Sequence, residues 1–399
     1  MVPRVLFLKN SADLLKEFQR IGVDRGGIAI MRPKAVLRVI NVGSIPHFCA
    51  NILKQEMLSL GGDVALSRGA ITGTKKITDC LLIGNLSQYG HLIAKLNKQP
   101  FGLARLAGEL QMCLSCFDAR SPSLFAGKKR IHLGRRTLIM GILNATPDSF
   151  SGDGMLGMEP RRALAVAKGM VRDGADILDI GGESTRPGSQ RVSAKEEIGR
   201  ILPLVKLLAK SVRVSLSIDT TKSEVAHAAL DCGVSIINDV SALRGDRRMP
   251  KLAARYRATV VLMHMKGVPR TMQVAPHYDD LMGEVSGFLG DALKKALDSG
   301  ISEDRIILDP GIGFGKTVAH NLEILRRLAE LKSLGRPVLV GVSRKRFIGK
   351  ILGAAVDERA WGTGAAVCAA ISGGADIVRV HDVREMSQVV RVADAVSRK

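Results

Sequence analysis

The sequence predicts an α/β protein: a (β/α)8 barrel of the TIM type preceded by a small N-terminal α/β module. Three observations carry this. From Arg135 onward, short β-branched apolar runs alternate with long amphipathic stretches. Eight such units fit into the remaining chain, and about 250 residues is the usual length of a closed eightfold barrel. The strand runs are continuously apolar, as in a parallel sheet whose outer face is covered by helices.

In chain order, the strand candidates are "TLIMGILN", "DILDIGGEST", "RVSLSIDT", "SIINDV", "TVVLMHM", "RIILDPG", "PVLVGVS" and "DIVRVHD". Between them lie helical patterns such as "RRALAVAKGMVRDG", "KEEIGRILPLVKLLAKS", "SEVAHAALDCG" and "NLEILRRLAELKSLG". The first module, residues 1–130, mixes helical stretches ("SADLLKEFQRIG", "IPHFCANILKQEMLSLGG", "LSQYGHLIAKLNK") with two strands ("AVLRVINV", "DCLLIGN"). It ends in "DARSPSLFAGKKRIHLGRR", whose Ser, Pro, Gly and basic residues read as a linker to a barrel over 135–399.

The formal charge is +21, of which +11 falls in residues 1–134. Such an excess favours an anionic partner. No nucleic-acid recognition motif accompanies it and aromatic residues are sparse, so a solvated basic face is expected and no nucleic-acid partner. No apolar run reaches the roughly 18 residues that span a bilayer. The start carries acids early and lacks a secretory signal, so no membrane partner is expected and the cytosol is the expected location. The six cysteines show no framework spacing, and the lone CxxC of Cys113 and Cys116 has no second pair, which fits reduced thiols. His47, His91, His132 and His227 have no ligand spacing and read as structural or surface residues.

Chemistry in such barrels gathers at the C-terminal ends of the strands. Here every strand candidate ends in functional groups. They are Asn144; Glu183, Ser184, Thr185 and Arg186; Asp219 and Thr220; Asn238 and Asp239; Met263 and His264; Asp309 before "GIGFGK"; Ser343 to Arg346; and Arg379, His381 and Asp382. One such residue is usually a turn or a helix cap. Eight sets converging on one mouth point to a site, with "TPDSFSGDG" after Asn144 as a mobile loop above it. Arg186, Arg379 and His381 suit an anionic group, because guanidinium donors match phosphate oxygens. Asn144 offers a neutral oxygen acceptable to Mg2+, which keeps waters and shares substrate phosphates. Asp219, Asn238, Asp309 and Lys345 suit the donor and acceptor edge of a flat heterocycle, with Met263 and Phe314 against its faces.

"MGILNATPDSFSGDG", "GGESTRPG", "SIDTTKSEVA", "INDVSAL", "VLMHMKG", "DPGIGFGK", "GVSRKRFIG" and "RVHDV" together strongly resemble the dihydropteroate synthase family, over about residues 137–397. The resemblance implies a transferase of folate biosynthesis. It would join 6-hydroxymethyl-7,8-dihydropterin pyrophosphate to p-aminobenzoate by early loss of pyrophosphate and attack of the arylamine on a pterin methylene cation. It further implies Mg2+ linked to Asn144, and pyrophosphate on Asn144, Arg379 and His381. The pterin would lie on Asp219, Asn238, Met263, Asp309, Phe314 and Lys345. p-Aminobenzoate would meet Phe150, Thr185, Arg186, Pro187, Ser343 and Arg346. Asp219, Asp309, Lys345, Arg379 and His381 are the implied catalytic set. The family also implies a homodimer, and Trp361 in "ERAWGTGAAVCAAISGG" is expected to pack its helix against the barrel or a partner. Two alternatives share the pterin pocket: a methyltetrahydrofolate–corrinoid methyltransferase-like barrel, and a pterin-binding paralogue without catalysis. Residues 1–130 match nothing in the resemblance, and the first loop's "SGDG" departs from the order of Ser, Asp and Gly common in the family.

Overall fold

The computed structural model describes residues 2–6, 8, 11–119, 123–145, 160–183, 192–267 and 271–398. The chain divides into two compact units, Met1–Ser115 and Cys116–Lys399.

The first unit is a three-stranded antiparallel sheet of β1 (Leu37–Pro46), β2 (Asp63–Leu66) and β3 (Ile77–Asn85), in the order β1-β3-β2. Burial alternates along β3, so one face of the sheet is a core face. Leu82 and Val64 pack there with Leu53 and Met57, Tyr89 and Leu92, and Leu103 and Leu110, which come from three helices. The Tyr89 hydroxyl is satisfied in this core by donating to Leu82 O at 2.9 Å. Asn85 ends β3 and caps the next helix, accepting from Gln88 N at 2.9 Å while the Gln88 side chain accepts from Asn85 N at 2.7 Å. β2 and the long helix Leu103–Asp118 were not foreseen in the sequence.

The second unit opens with a hairpin, β4 (Leu124–Ala126) and β5 (Lys129–Ile131), turning at Gly127 with φ +61°. This is the stretch read as a linker. Its apolar side chains instead enter the floor of the barrel: Leu124, Ala126, Ile131 and Leu133 form one buried cluster with Met140, Ile177, Ile236, Val261, Ile307, Leu339 and Ile377. Arg305 Nη2 donates to Gly127 O at 3.0 Å and fixes the turn. At the N-terminal face of such a barrel a plug of this kind serves stability.

Eight parallel strands follow: β6 (Leu138–Asn144), β7 (Ile177–Gly181), β8 (Ser215–Asp219), β9 (Ile236–Asp239), β10 (Thr259–Met263), β11 (Ile306–Asp309), β12 (Leu339–Val340) and β13 (Ile377–Val380). They are ordered β11-β10-β9-β8-β7-β6-β13-β12, and a bridge between Leu308 and Val338 joins the two ends. Each lies within one of the eight expected runs. Outward-facing Leu178, Ile180, Ile218, Ile237, Val260, Leu262, Val340 and Val378 pack against the surrounding helices in the largest core. The pattern "NLEILRRLAELKSLG" is not one helix. It is helical over Val318–Arg326 and then tightens into a 3-10 segment, Leu328–Leu334, closed by Gly335 at φ +69°.

Candidate active site

The inward faces of the strands are split by height. Side chains alternate along a strand, so every second residue points into the barrel. Low in the barrel, on seven of the eight strands, these include the apolar Met140, Ile177, Ile236, Val261, Ile307, Leu339 and Ile377, while β8 carries Ser215 and Ser217 there. Two residues further along the same strands stand Ile142, Asp179, Asn238, Met263, Asp309, Gly341 and Arg379. The polar strand ends are therefore the upper layer of one inward pattern, and all of these but Asp179 line a cavity of about 760 Å³.

That cavity collects Asn144, Asp219, Asn238, Met263, Asp309, Phe314, Ser343, Lys345, Arg346, Arg379 and His381. It therefore brings together the expected site residues that the structure describes. Phe150, Thr185, Arg186 and Pro187 lie outside the described residues. Met263 and Phe314 belong to one apolar cluster with Val240 and Met272, so the two share a wall.

At the centre, Arg379 Nε donates to Asp179 Oδ2 at 2.6 Å and Nη2 to Asp219 Oδ2 at 2.8 Å. Asn238 Nδ2 donates to the same Asp179 oxygen at 2.8 Å. Oδ1 of Asp179 and Oδ1 of Asp219 are buried and have no partner among the described residues. Burial pushes the Asp219 carboxyl up, against the pull of Arg379, with Asp179 and Glu197 adding to the rise. Burial would lower Arg379, but Asp179 and Asp219 hold it raised. Asp309 Oδ1 accepts from Gly311 N at 2.7 Å. Burial pushes its carboxyl up to about 6, moderated by that amide, Lys345, Lys316 and Arg379. Lys345 Nζ stands 4.3 Å from the centre of the Phe314 ring.

The turn that delivers Ser343 and Lys345 is held under strain. Arg344 between them has φ +56°, the left-handed region that non-glycine residues avoid. It is fixed by Nε and Nη2 on Asp382 at 3.1 and 2.5 Å, and by its own N–H on Thr363 Oγ1 at 3.1 Å. Arg359 Nη1 donates to its carbonyl at 3.1 Å. His381 Nδ1 lies 2.9 Å from Ser343 Oγ, which couples the ends of β12 and β13. Glu183 also lines the cavity and accepts from Lys222 Nζ at 2.6 Å, and Lys222 bridges onward to the fully buried Glu197 at 2.5 Å.

The sequence reading missed Asp179, the lysine–glutamate bridge and the Arg344 clamp. Asp179 was within reach, because it stands two residues above Ile177 on a strand of period two. Among the described residues no group of three or more His, Cys, Asp or Glu side chains is placed to hold a metal ion. No helix of the described residues is long and apolar enough to cross a membrane.

A flat, hydrogen-bonding heterocycle fits this floor of paired carboxylates, an amide and a lysine, and the family model described as pterin binding enzyme matches residues 140–381. The chain belongs to the pterin-binding enzyme family. Within it, the similar relatives are dihydropteroate synthases. That of Synechocystis is 50% identical over 282 residues, 70% of this chain and 97% of the relative. A probable bifunctional folylpolyglutamate synthase/dihydropteroate synthase of Halobacterium salinarum is 40% identical over 96% of this chain and 46% of its own length, so the alignment takes in most of the N-terminal unit. A Clostridium difficile dihydropteroate synthase, solved in the presence of pteroic acid, superposes with a TM-score of 0.63 at 45% identity, over 67% of this chain and all of that one.

The Arg379 network makes a direct prediction. Arg379→Met leaves two buried carboxylates without their cation, which is expected to cost about 3–5 kcal/mol at pH 8. The Asp219 carboxyl is already raised, so its charged form is what the variant penalises. The loss should therefore shrink as pH falls and a proton is taken up. Denaturant unfolding of both proteins at pH 8 and pH 5 reads this, and an equal loss at both would show that the carboxylates are not what the arginine supports.

Proposed function

We propose that the cavity binds 6-hydroxymethyl-7,8-dihydropterin pyrophosphate and condenses it with p-aminobenzoate, giving 7,8-dihydropteroate and pyrophosphate. The observation that carries this is the single floor shared by Asp219, Asn238, Asp309, Lys345 and Arg379. Asp219 and Asp309, when ionised, accept N–H bonds from the pterin edge. Asn238, held by Asp179, supplies an amide beside them. The apolar wall of Met263 and Phe314 takes a ring face.

Arg379 uses Nε and Nη2 on the two aspartates, which leaves Nη1 to turn toward a phosphate oxygen. His381 and Asn144 stand at neighbouring strand ends on the same cavity. Asn144 Oδ1 would serve as one neutral ligand of a magnesium ion shared with the pyrophosphate, and such an ion would supply charge neutralisation on the leaving oxygens. The pterin C–O bond breaks with its electron pair passing to pyrophosphate. Fixed negative charge on Asp219 and Asp309 stabilises the delocalised methylene cation in a site already oriented for it. The arylamine lone pair then forms the C–N bond and an N–H proton is lost. Ser343 and Arg346 on the cavity wall receive the p-aminobenzoate carboxylate. The remaining residues implied for that pocket, Phe150, Thr185, Arg186 and Pro187, belong to the same proposal.

We further place a second copy of this chain on the face that carries Trp361. Its side chain is 89% exposed rather than packed on the barrel, and Ile351 and Leu352 nearby are also exposed. Trp361→Glu is expected to halve the mass seen in sedimentation, and an unchanged mass would remove this face as the interface.

Pyrophosphate release that requires both substrates separates this activity from methyl transfer and from binding without catalysis. Lys345→Ala should lower kcat/KM about 10–150-fold, the loss of one charged hydrogen bond, with the unfolding midpoint little changed. Asp309 must be ionised to accept from the pterin, so turnover should fall as pH drops through about 6. Wild-type rates in the lysine variant would remove it from the site.

A further inference from the structure

We propose that Lys316 is a positioning residue for the pterin pocket: from behind the wall, its ammonium ties down both ends of the Gly311–Phe314 turn and so fixes Phe314 and Asp309 in place. This rests on the reading of the cavity as a pterin site.

Lys316 is only 3% exposed and does not line the cavity. Its Nζ donates to Gly311 O at 3.0 Å, to Phe314 O at 3.0 Å and to His264 Nδ1 at 2.8 Å. An ammonium has three donors, and here each meets one acceptor. The arrangement requires a neutral His264 carrying its proton on Nε2. Burial, Lys316 and Arg244 favour that form by lowering the imidazole pKa to about 2.

The turn needs such a hold. Gly311, Gly313 and Gly315 all have positive φ, at +67°, +82° and +63°. A Cβ on Gly311 would meet His264 O at 1.9 Å, so the backbone itself is pressed against the end of β10. Glycine permits this path but gives the chain no preference for it. The turn closes on itself where Phe314 N donates to Gly311 O at 3.0 Å, Asn321 and Gln273 hold Gly313 at its middle, and Lys316 joins from behind the two carbonyls that bound it. Both ends matter for the site. Phe314 presents its ring to the cavity, and Gly311 N is the donor that holds Asp309 Oδ1. A buried cation is costly, and an apolar side chain of the same length would fill the space. The lysine is explained by three lone pairs that point to one spot behind the pocket wall.

Lys316 also acts on Asp309 through charge. Asp309 is faced by the Gly311 amide and by Lys345, Lys316 and Arg379, which all favour its ionised form. Lys316 itself is lowered to about 7 by burial, with Asp309 opposing that fall and Lys345 adding to it.

The test uses the full chain. Lys316→Met is expected to raise KM for pterin pyrophosphate about tenfold. KM for p-aminobenzoate should stay within about twofold, and the acid limb of the pH–rate profile should move to higher pH as Asp309 loses a cation. His264→Phe keeps the ring but removes Nδ1, and is expected to leave the pterin KM within about threefold because both carbonyl bonds remain. Lys316→Gln keeps two N–H donors and should fall between wild type and Lys316→Met. If the methionine variant does not fold, the glutamine variant decides by the same KM comparison. A pterin KM and acid limb that stay at wild-type values would overturn the proposal. So would a fall in rate that affects both substrates equally and follows the folded fraction, since that describes a purely structural lysine. Calorimetric titration of the wild type with pterin pyrophosphate is run first. Absence of binding there would count against the cavity as a pterin site, separately from anything the variants show.

Discussion

Arg379 lies between two carboxylates at the base of the cavity, and the arrangement of the site depends on that contact. Three charges are taken out of water together, which is tolerable only because each has an opposite partner within hydrogen-bond distance. The pairing spans β13, β7 and β8, so it exists only once the eight strands have closed. Asn238 is then aimed by the same Asp179 oxygen. One oxygen of Asp179 and one of Asp219 stay buried without a partner among the described residues, which is the expense of the arrangement.

The rest of the fold makes this tenable. Below the charged layer the inward residues are apolar apart from Ser215 and Ser217 on β8 and Thr259 on β10, and the β4–β5 hairpin seals the floor with Leu124, Ala126, Ile131 and Leu133. Water is thereby kept from the charged layer from beneath, so its interactions are strong and its geometry is fixed. Above it, two irregular turns deliver groups that strands alone would not. Arg344 is forced into a left-handed conformation by Asp382, Thr363 and Arg359, and Lys345 is the next residue. The glycine turn Gly311–Phe314 follows Asp309 and is gripped by Lys316. Strain and buried charge gather at the mouth, where binding needs positions that ordinary packing does not supply.

Much of this was legible in the sequence. Each strand announced itself as a β-branched run ending in polar residues, and this pattern alone groups Asn144, Asp219, Asn238, Asp309, Lys345, Arg379 and His381 at one mouth. What stayed hidden had a physical reason in each case. Arg379 read as an anion ligand because its partner Asp179 lies 200 positions away, and only barrel closure brings them together. Lys316 read as the end of a glycine motif, since nothing local says that its three acceptors meet behind the wall. The hairpin read as a linker because Gly, Pro and basic residues mark turns but do not reveal that Leu124 and Ile131 face a barrel floor. Trp361 read as packing its helix against the barrel or a partner, and its exposure removes the first of these, which no local pattern in the sequence could decide.

The central claim is that ionised, buried carboxylates read the pterin edge. Proton-linked calorimetry tests it most directly, with 6-hydroxymethylpterin titrated into the full chain at about pH 6 and again at about pH 8, each in two buffers of different ionisation heat. At the lower pH the free Asp309 is partly protonated, and Asp219 is raised in the same direction. Binding to the ionised form must then expel protons. The account predicts proton release near pH 6 that vanishes near pH 8, with affinity falling as pH falls. Binding without proton release at the lower pH, or affinity that rises with acidity, would contradict it.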